Sequence, residues 1–235
     1  MSRETPQLNF DEERLRERLS KLTFGHQLTF VASCCERAMP TCAEYADGAD
    51  MQDQAQLASD VTELAWRGSL EPEARLQERS VANELWRFAR MDNDWAKPMT
   101  RYVPDCVSVL YFAADFQLTG TVASASETAR WIYNALDALV LNRSGITSGT
   151  GEESRALTAD PTIQRELRKQ ERDLVKLEAA EHIDAPLLQV MRADSARLGR
   201  MMLEEFEADA QTRLRSGPPP RIWPDPPEGD KPSDL

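Results

Sequence analysis

The chain has little of what most recognisable catalytic or metal-binding sites are built from. His26 and His182 are its only histidines, and neither spacing sets one beside a thiol. Nucleophilic Cys–His chemistry therefore has no visible basis. The 4 cysteines, Cys34, Cys35, Cys42 and Cys106, form no disulfide framework. The tandem pair points to different helix faces, and free buried thiols are the expectation for a reducing compartment. His26, Cys34, Cys35, Glu36 and Cys42 are all ligand types within a short span, but no closely spaced Cys or His pair marks a zinc site. No metal or other cofactor is expected. The glycines of the 144–153 segment lack both the Lys-Ser/Thr ending and the preceding strand of a phosphate-binding loop. No window approaches the ~20 uninterrupted apolar residues of a membrane span, and the N-terminal stretch lacks the apolar core of a signal peptide. A cytoplasmic protein with no membrane partner is the expectation.

Basic charge is also scarce. The formal net charge is −12, which argues against a nucleic-acid partner, because a phosphate backbone calls for a basic surface. It suits solubility, or a basic protein partner. Hydrophobic residues at 41% and charged residues at 29% belong to a globular chain.

What is present is helical periodicity. A stretch beginning at Phe24 places Leu28, Val31, Cys35 and Ala38 at helical spacing, with Phe30, Ala32 and Cys34 widening the apolar arc. A narrow polar stripe of His26, Thr29, Ser33 and Glu36 interrupts it. Pro40 is expected to end or kink this helix near Ala38–Met39, with a short continuation closing at Gly48. Around it the pattern predicts helices over 9–22 and 51–68, and one opening at Glu71-Pro72-Glu73 with Leu76, Val81, Leu85 and Phe88 inward. Further helices are predicted over 103–118, where Val107, Val109, Tyr111 and Phe112 make a buried strand the runner-up, over 121–142 and over 161–180, the last with its dense charge facing outward. A long final helix begins at Pro186 on the seam Leu188, Met191, Ser195, Leu198, Met202 and Phe206.

Trp86, Trp95 and Trp131 read as packing residues. The 144–153 segment reads as a surface loop, and the Pro-rich residues 216–235 as an extended or disordered tail. The fold class is all-α: a single bundle of seven or eight helices over 1–215, followed by that tail.

The run Cys34-Cys35-Glu36-Arg37 followed by Pro40 resembles the signature of the YjaG-like family of bacterial proteins, a domain of unknown function. The order of later segments is similar too: residues 57–66, then Pro104-Asp105-Cys106, Asp160-Pro161 and Arg192-Ala193-Asp194. The similarity spans roughly 22–199. Ala38, Met39 and Cys42 depart from an aromatic-rich version of the signature. The resemblance implies an all-helical cytosolic domain and supplies no reaction, substrate or catalytic residue.

Charged residues are seldom buried without partners, which singles out Glu36 and Arg37, and with them Arg192, Asp194 and Asp115. One expectation is a buried ion-pair network pinning the second helix to the last. The other is an unfamiliar helical active site built from these five, since bundles can present carboxylates from separate helices to their core. Ile222 and Trp223, in the Pro-rich tail, have the character of a short motif that docks into a partner's groove. The leading functional expectation is a non-enzymatic domain that binds another protein, one form of which is an acidic antagonist of a basic partner. An enzyme is the alternative.

Overall fold

A computed structural model describes residues 6–49, 51–89, 98–144 and 157–216. They form eight α-helices and no strand among the described residues. The order is α1 (Glu12–Ser20), α2 (Phe24–Gly48), α3 (Gln52–Gly68), α4 (Arg79–Ala89), α5 (Val103–Thr119), α6 (Val122–Ser144), α7 (Pro161–Ala179) and α8 (Ala185–Ser216). The bundle is all-α, as the periodicity predicts. No helix among the described residues is long and apolar enough to cross a membrane.

α2 occupies the centre and packs against α3, α5, α6, α7 and α8. Its sequence dictates that position. Leu28, Phe30, Val31, Ala32, Cys34, Cys35 and Ala38 are all buried, and they fall on every side of the helix, so its first four turns are enclosed almost all round while its last turns meet water at Glu44 and Asp47. α5 lies between α4 and α6 on one side of α2, while α8 covers another. Thr23 and Asp160 accept hydrogen bonds from backbone N–H groups in the first turns of α2 and α7, satisfying donors that a helix start leaves open.

Three elements differ from the periodicity. α2 does not stop at Pro40 but runs through it to Gly48. A proline ring offers no N–H to the carbonyl four residues earlier, here that of Glu36. α8 comes close at this point: a Cβ on Gly199 would sit 2.9 Å from the carbonyl oxygens of both Glu36 and Arg37. The glycine fills the gap beside the proline, and the packing of α8 carries the helix across it.

The helix expected from Pro72 shrinks to a 3-10 turn, Pro72–Ala74, and α4 begins only at Arg79. Gln117 of α5 accepts from the N–H of Leu76 at 3.1 Å and donates to Val61 O at 3.2 Å. This tertiary bond claims a backbone donor that a continuous helix would have used internally. α1 is shorter than expected at both ends, running from Glu12 to Ser20 with Asp11 as its cap. The 144–153 loop falls largely outside the described residues, as does Trp95.

Gly199→Ala should destabilise the protein by about 1–3 kcal/mol, since the new methyl meets backbone that cannot rotate away. Urea unfolding monitored by helical circular dichroism measures this. A cost within a few tenths of a kcal/mol of zero would refute the close approach.

Candidate functional site

Arg37 is only 1% exposed and reaches Glu166 of α7. Its Nη2 donates to Glu166 Oε1 at 2.9 Å, and its Nη1 donates to the Ser33 carbonyl at 2.9 Å and the Ser33 hydroxyl at 2.8 Å. Asp173 stands 3.6 Å from the same Nη1. Asp173 in turn accepts from Lys169 Nζ at 2.6 Å and from the Ser33 hydroxyl at 2.6 Å. Gln170 donates to Glu166 at 2.9 Å, and Ser195 of α8 lies 2.8 Å from Ser33.

Two cations and two carboxylates are thus enclosed together, with Lys169 and Asp173 as inaccessible as Arg37. Charge balance with near-complete hydrogen bonding is what makes such burial tolerable. The Arg37 Nε alone has no partner. Burial pulls the Lys169 ammonium below its ordinary range while Asp173 pulls it back up. For Arg37, Glu166 and Asp173 outweigh desolvation and hold the guanidinium firmly charged.

These α7 residues correct the expectation that its charge faces outward. Glu166, Lys169, Gln170 and Asp173 recur at three- and four-residue intervals and form a buried polar stripe beside the apolar one of Ile163, Leu167, Leu174 and Leu177. The spacing is legible in the sequence, but its direction is not. A polar stripe of this kind belongs on a solvated face unless a complementary stripe awaits it, and that complement is Ser33 and Arg37 one helix away.

The five residues singled out in the sequence separate into three places. Glu36 sits on the α3–α8 side of α2, where the indole N–H of Trp66 donates to it at 2.8 Å and Arg192 Nε approaches to 3.3 Å. Arg192 is also paired with Glu63 of α3. Asp194 lies at the rim of the buried cluster, 3.3 Å from Lys169 and 2.9 Å from Arg197. Asp115 is on α5, apart from both groups, accepting from Ser124 at 2.6 Å with Arg79 at 3.8 Å. Glu36 and Arg192 therefore join α2 to α8, whereas Arg37 joins α2 to α7. Ile222 and Trp223 lie outside the described residues.

Beside Arg37 and Glu166 there is a crevice of about 10 Å³, room for no more than a single water. Larger clefts, of about 280 Å³ between the N-terminal segment, α1 and α7 and about 370 Å³ between the ends of α6 and α8, are lined by none of the five. All four cysteines are free and buried. Burial raises the Cys34 thiol to about 11 and pushes Cys35, Cys42 and Cys106 upward as well. No group of three or more metal-ligand side chains assembles among the described residues. His26 is buried, with its ring nitrogens 2.5 Å from the Thr23 hydroxyl and 3.0 Å from the Ala180 carbonyl, so its role is to hold the start of α2 against the end of α7.

Arg37→Met alone should cost about 3–5 kcal/mol, because the buried Glu166 carboxylate loses its cation and Asp173 keeps only Lys169. Arg37→Met with Glu166→Leu should cost clearly less than the sum of the single changes; strict additivity in urea unfolding would contradict the enclosed pair. The thiols offer an independent check. A thiol reagent at pH 8 should modify no cysteine in the native protein and all 4 after denaturation, and rapid labelling of the folded chain would show the burial to be wrong.

No family model and no curated protein match the sequence. The architecture is similar to that in the crystal structure of a DUF416 family protein from Shewanella baltica OS155, with a TM-score of 0.68 at 16% identity, over 77% of this chain and 93% of that chain. At that identity the likeness is one of fold.

Proposed function

We propose that this chain is a non-enzymatic cytoplasmic domain that works by binding another protein, and that its acidic surface covers a basic partner. The observation that carries this reading is the closure of the ionic cluster. Arg37, Glu166, Lys169 and Asp173 are committed to one another, and the crevice beside them holds about 10 Å³. A substrate would have to displace an ion pair and then enter a space smaller than itself. A cluster of this kind specifies how helices meet and leaves the outside of the bundle to do the work. That outside is strongly acidic, with a formal net charge of −12, and like-signed charge favours fast encounter with an oppositely charged protein.

A distant place in the YjaG-like family fits the same reading. Segments that carry the resemblance meet around α2: Glu36 with Trp66 and Arg192, and Arg37 with Asp194 through Asp173 and Lys169. Similarity of fold to a DUF416 family protein also supports an all-helical domain of that general kind.

Native purification of the tagged full-length chain at low salt, followed by mass spectrometry, should retain a stoichiometric protein of basic isoelectric point. Raising the salt to about 0.5 M should release it, because surface charge attraction is screened over a few ångströms at that strength. Retention of no basic protein at low salt would remove the antagonist reading.

A further inference from the structure

The cleft of about 370 Å³ between the ends of α6 and α8 brings two guanidiniums to one buried carboxylate. Asn142, Arg143, Ala208, Asp209, Thr212 and Arg213 line it. The most buried of them is Asp209, at 7% exposure. Its Oδ2 accepts from the Tyr102 hydroxyl at 2.5 Å and pairs with Arg213 Nε at 2.9 Å. Its Oδ1 accepts no hydrogen bond among the described residues. Buried polar atoms are normally satisfied, so this oxygen is an acceptor in want of a donor.

Asn142 supplies a second acceptor. Burial, and then the bond to Asp209, push the Tyr102 hydroxyl up to about 12, so it keeps its proton at neutral pH. That single proton goes to Asp209, and Tyr102 can only accept from Asn142 Nδ2, 3.0 Å away. The chain of bonds fixes which way the amide faces, and Asn142 Oδ1 is left without a donor among the described residues. Stacking on Phe206 at 4.2 Å holds the Tyr102 ring in place.

The guanidiniums keep donors in reserve. Arg143 uses one Nη on the backbone carbonyl of Glu205 at 3.0 Å, and Arg213 uses only its Nε. Glu205, one turn before Asp209, turns its carboxylate to Arg165 and Thr162 and does not neutralise them. Arg101, in the turn Pro98–Arg101 ahead of α5, adds a third cation, which burial and the charge of Arg213 together hold below its ordinary range. Three guanidiniums against one carboxylate leave two positive charges in excess, on a chain whose net charge is −12. The carbonyl end of α6 lies close by and opposes an anion, but a dipole worth about half a charge is outweighed by two.

A ligand matched to this cleft brings more than one negative charge for the guanidiniums and a hydroxyl for the two open acceptors. A free amino acid has a donor and an anion but no net charge, and would leave the excess uncompensated. A phosphate monoester carries close to two negative charges at pH 7 and suits the forked donors of arginine. A sugar attached to it supplies the hydroxyls. The volume is that of a small-molecule site.

We infer that this cleft binds a small phosphorylated polyol, with the phosphate held by Arg143 and Arg213 and a hydroxyl donating to Asp209 Oδ1 and Asn142 Oδ1. The inference is independent of the proposed protein partner, which concerns the acidic remainder of the surface.

Isothermal titration of the full-length chain at low salt with glucose 6-phosphate, ribose 5-phosphate, inorganic phosphate and glucose tests it. At least one sugar phosphate should bind one to one with a dissociation constant below about 1 mM, inorganic phosphate at least fivefold more weakly, and glucose not measurably. Arg143→Gln, which gives up only a bond to a backbone carbonyl, should weaken the sugar phosphate at least fivefold. Ala208→Glu alters an exposed position, leaves every hydrogen bond of the site intact and should abolish binding by setting a carboxylate against the phosphate. Arg67→Gln, on the exposed face of α3, should change the affinity less than twofold. Inorganic phosphate binding as tightly as the sugar phosphates would reduce the cleft to a general anion patch and overturn the inference. Failure of both sugar phosphates to bind, or binding that survives both cleft variants, would overturn it as well.

Discussion

The buried guanidinium of Arg37 is the constraint on which the rest of the bundle depends. A charge that far from water is tolerable only if its partners arrive together and in place, and those partners come from α7, more than a hundred residues later in the chain. Lys169 and Asp173 extend the requirement, and Ser33 and Ser195 fill the remaining hydrogen-bonding positions around them. The apolar residues of α2 would accept many arrangements of neighbouring helices. The ionic set accepts one. In this sense the cluster acts less as a source of stability than as a statement of which helix faces which.

Much of this architecture is legible from spacing alone. A count of seven or eight helices, the central place of α2, the Asp160-Pro161 start of α7 and the seam of α8 all follow from periodicity and end signals. Where the sequence misleads, a distant group decides. Pro40 has the local signature of a helix end, but α8 packs over the gap it leaves. Glu71-Pro72-Glu73 has the signature of a helix start, but Gln117 takes the backbone of Leu76. The inward charge of α7 is the largest departure. Its four-residue rhythm is visible, yet nothing within α7 reveals that Arg37 waits on the other side. Of the five residues first singled out, Glu36 and Arg192 meet directly and Asp194 reaches Arg37 only through Lys169 and Asp173. Asp115 belongs to a different surface.

That surface gives the molecule two unlike exteriors. Most of the outside is charged, with carboxylates in excess, and is held by exposed ion pairs such as Lys21–Glu17 and Arg67–Glu71 that contribute little individually. Across α4, α5 and α6 the exterior changes to the contacting rings of Trp86, Tyr111, Phe112 and Trp131. An acidic coat keeps copies apart at long range, whereas an aromatic row rewards whatever is held close to it.

The contact at Gly199 also works as a mechanical stop. If α8 slid along α2 by one turn in either direction, Ser195 or Leu203 would be driven against the carbonyls of Glu36 and Arg37, and neither side chain fits where a single Cβ already collides. The two longest helices of the protein consequently have one allowed alignment. Motion between them is confined to separation rather than sliding, so any rearrangement of this bundle must lift α8 off α2 as a unit.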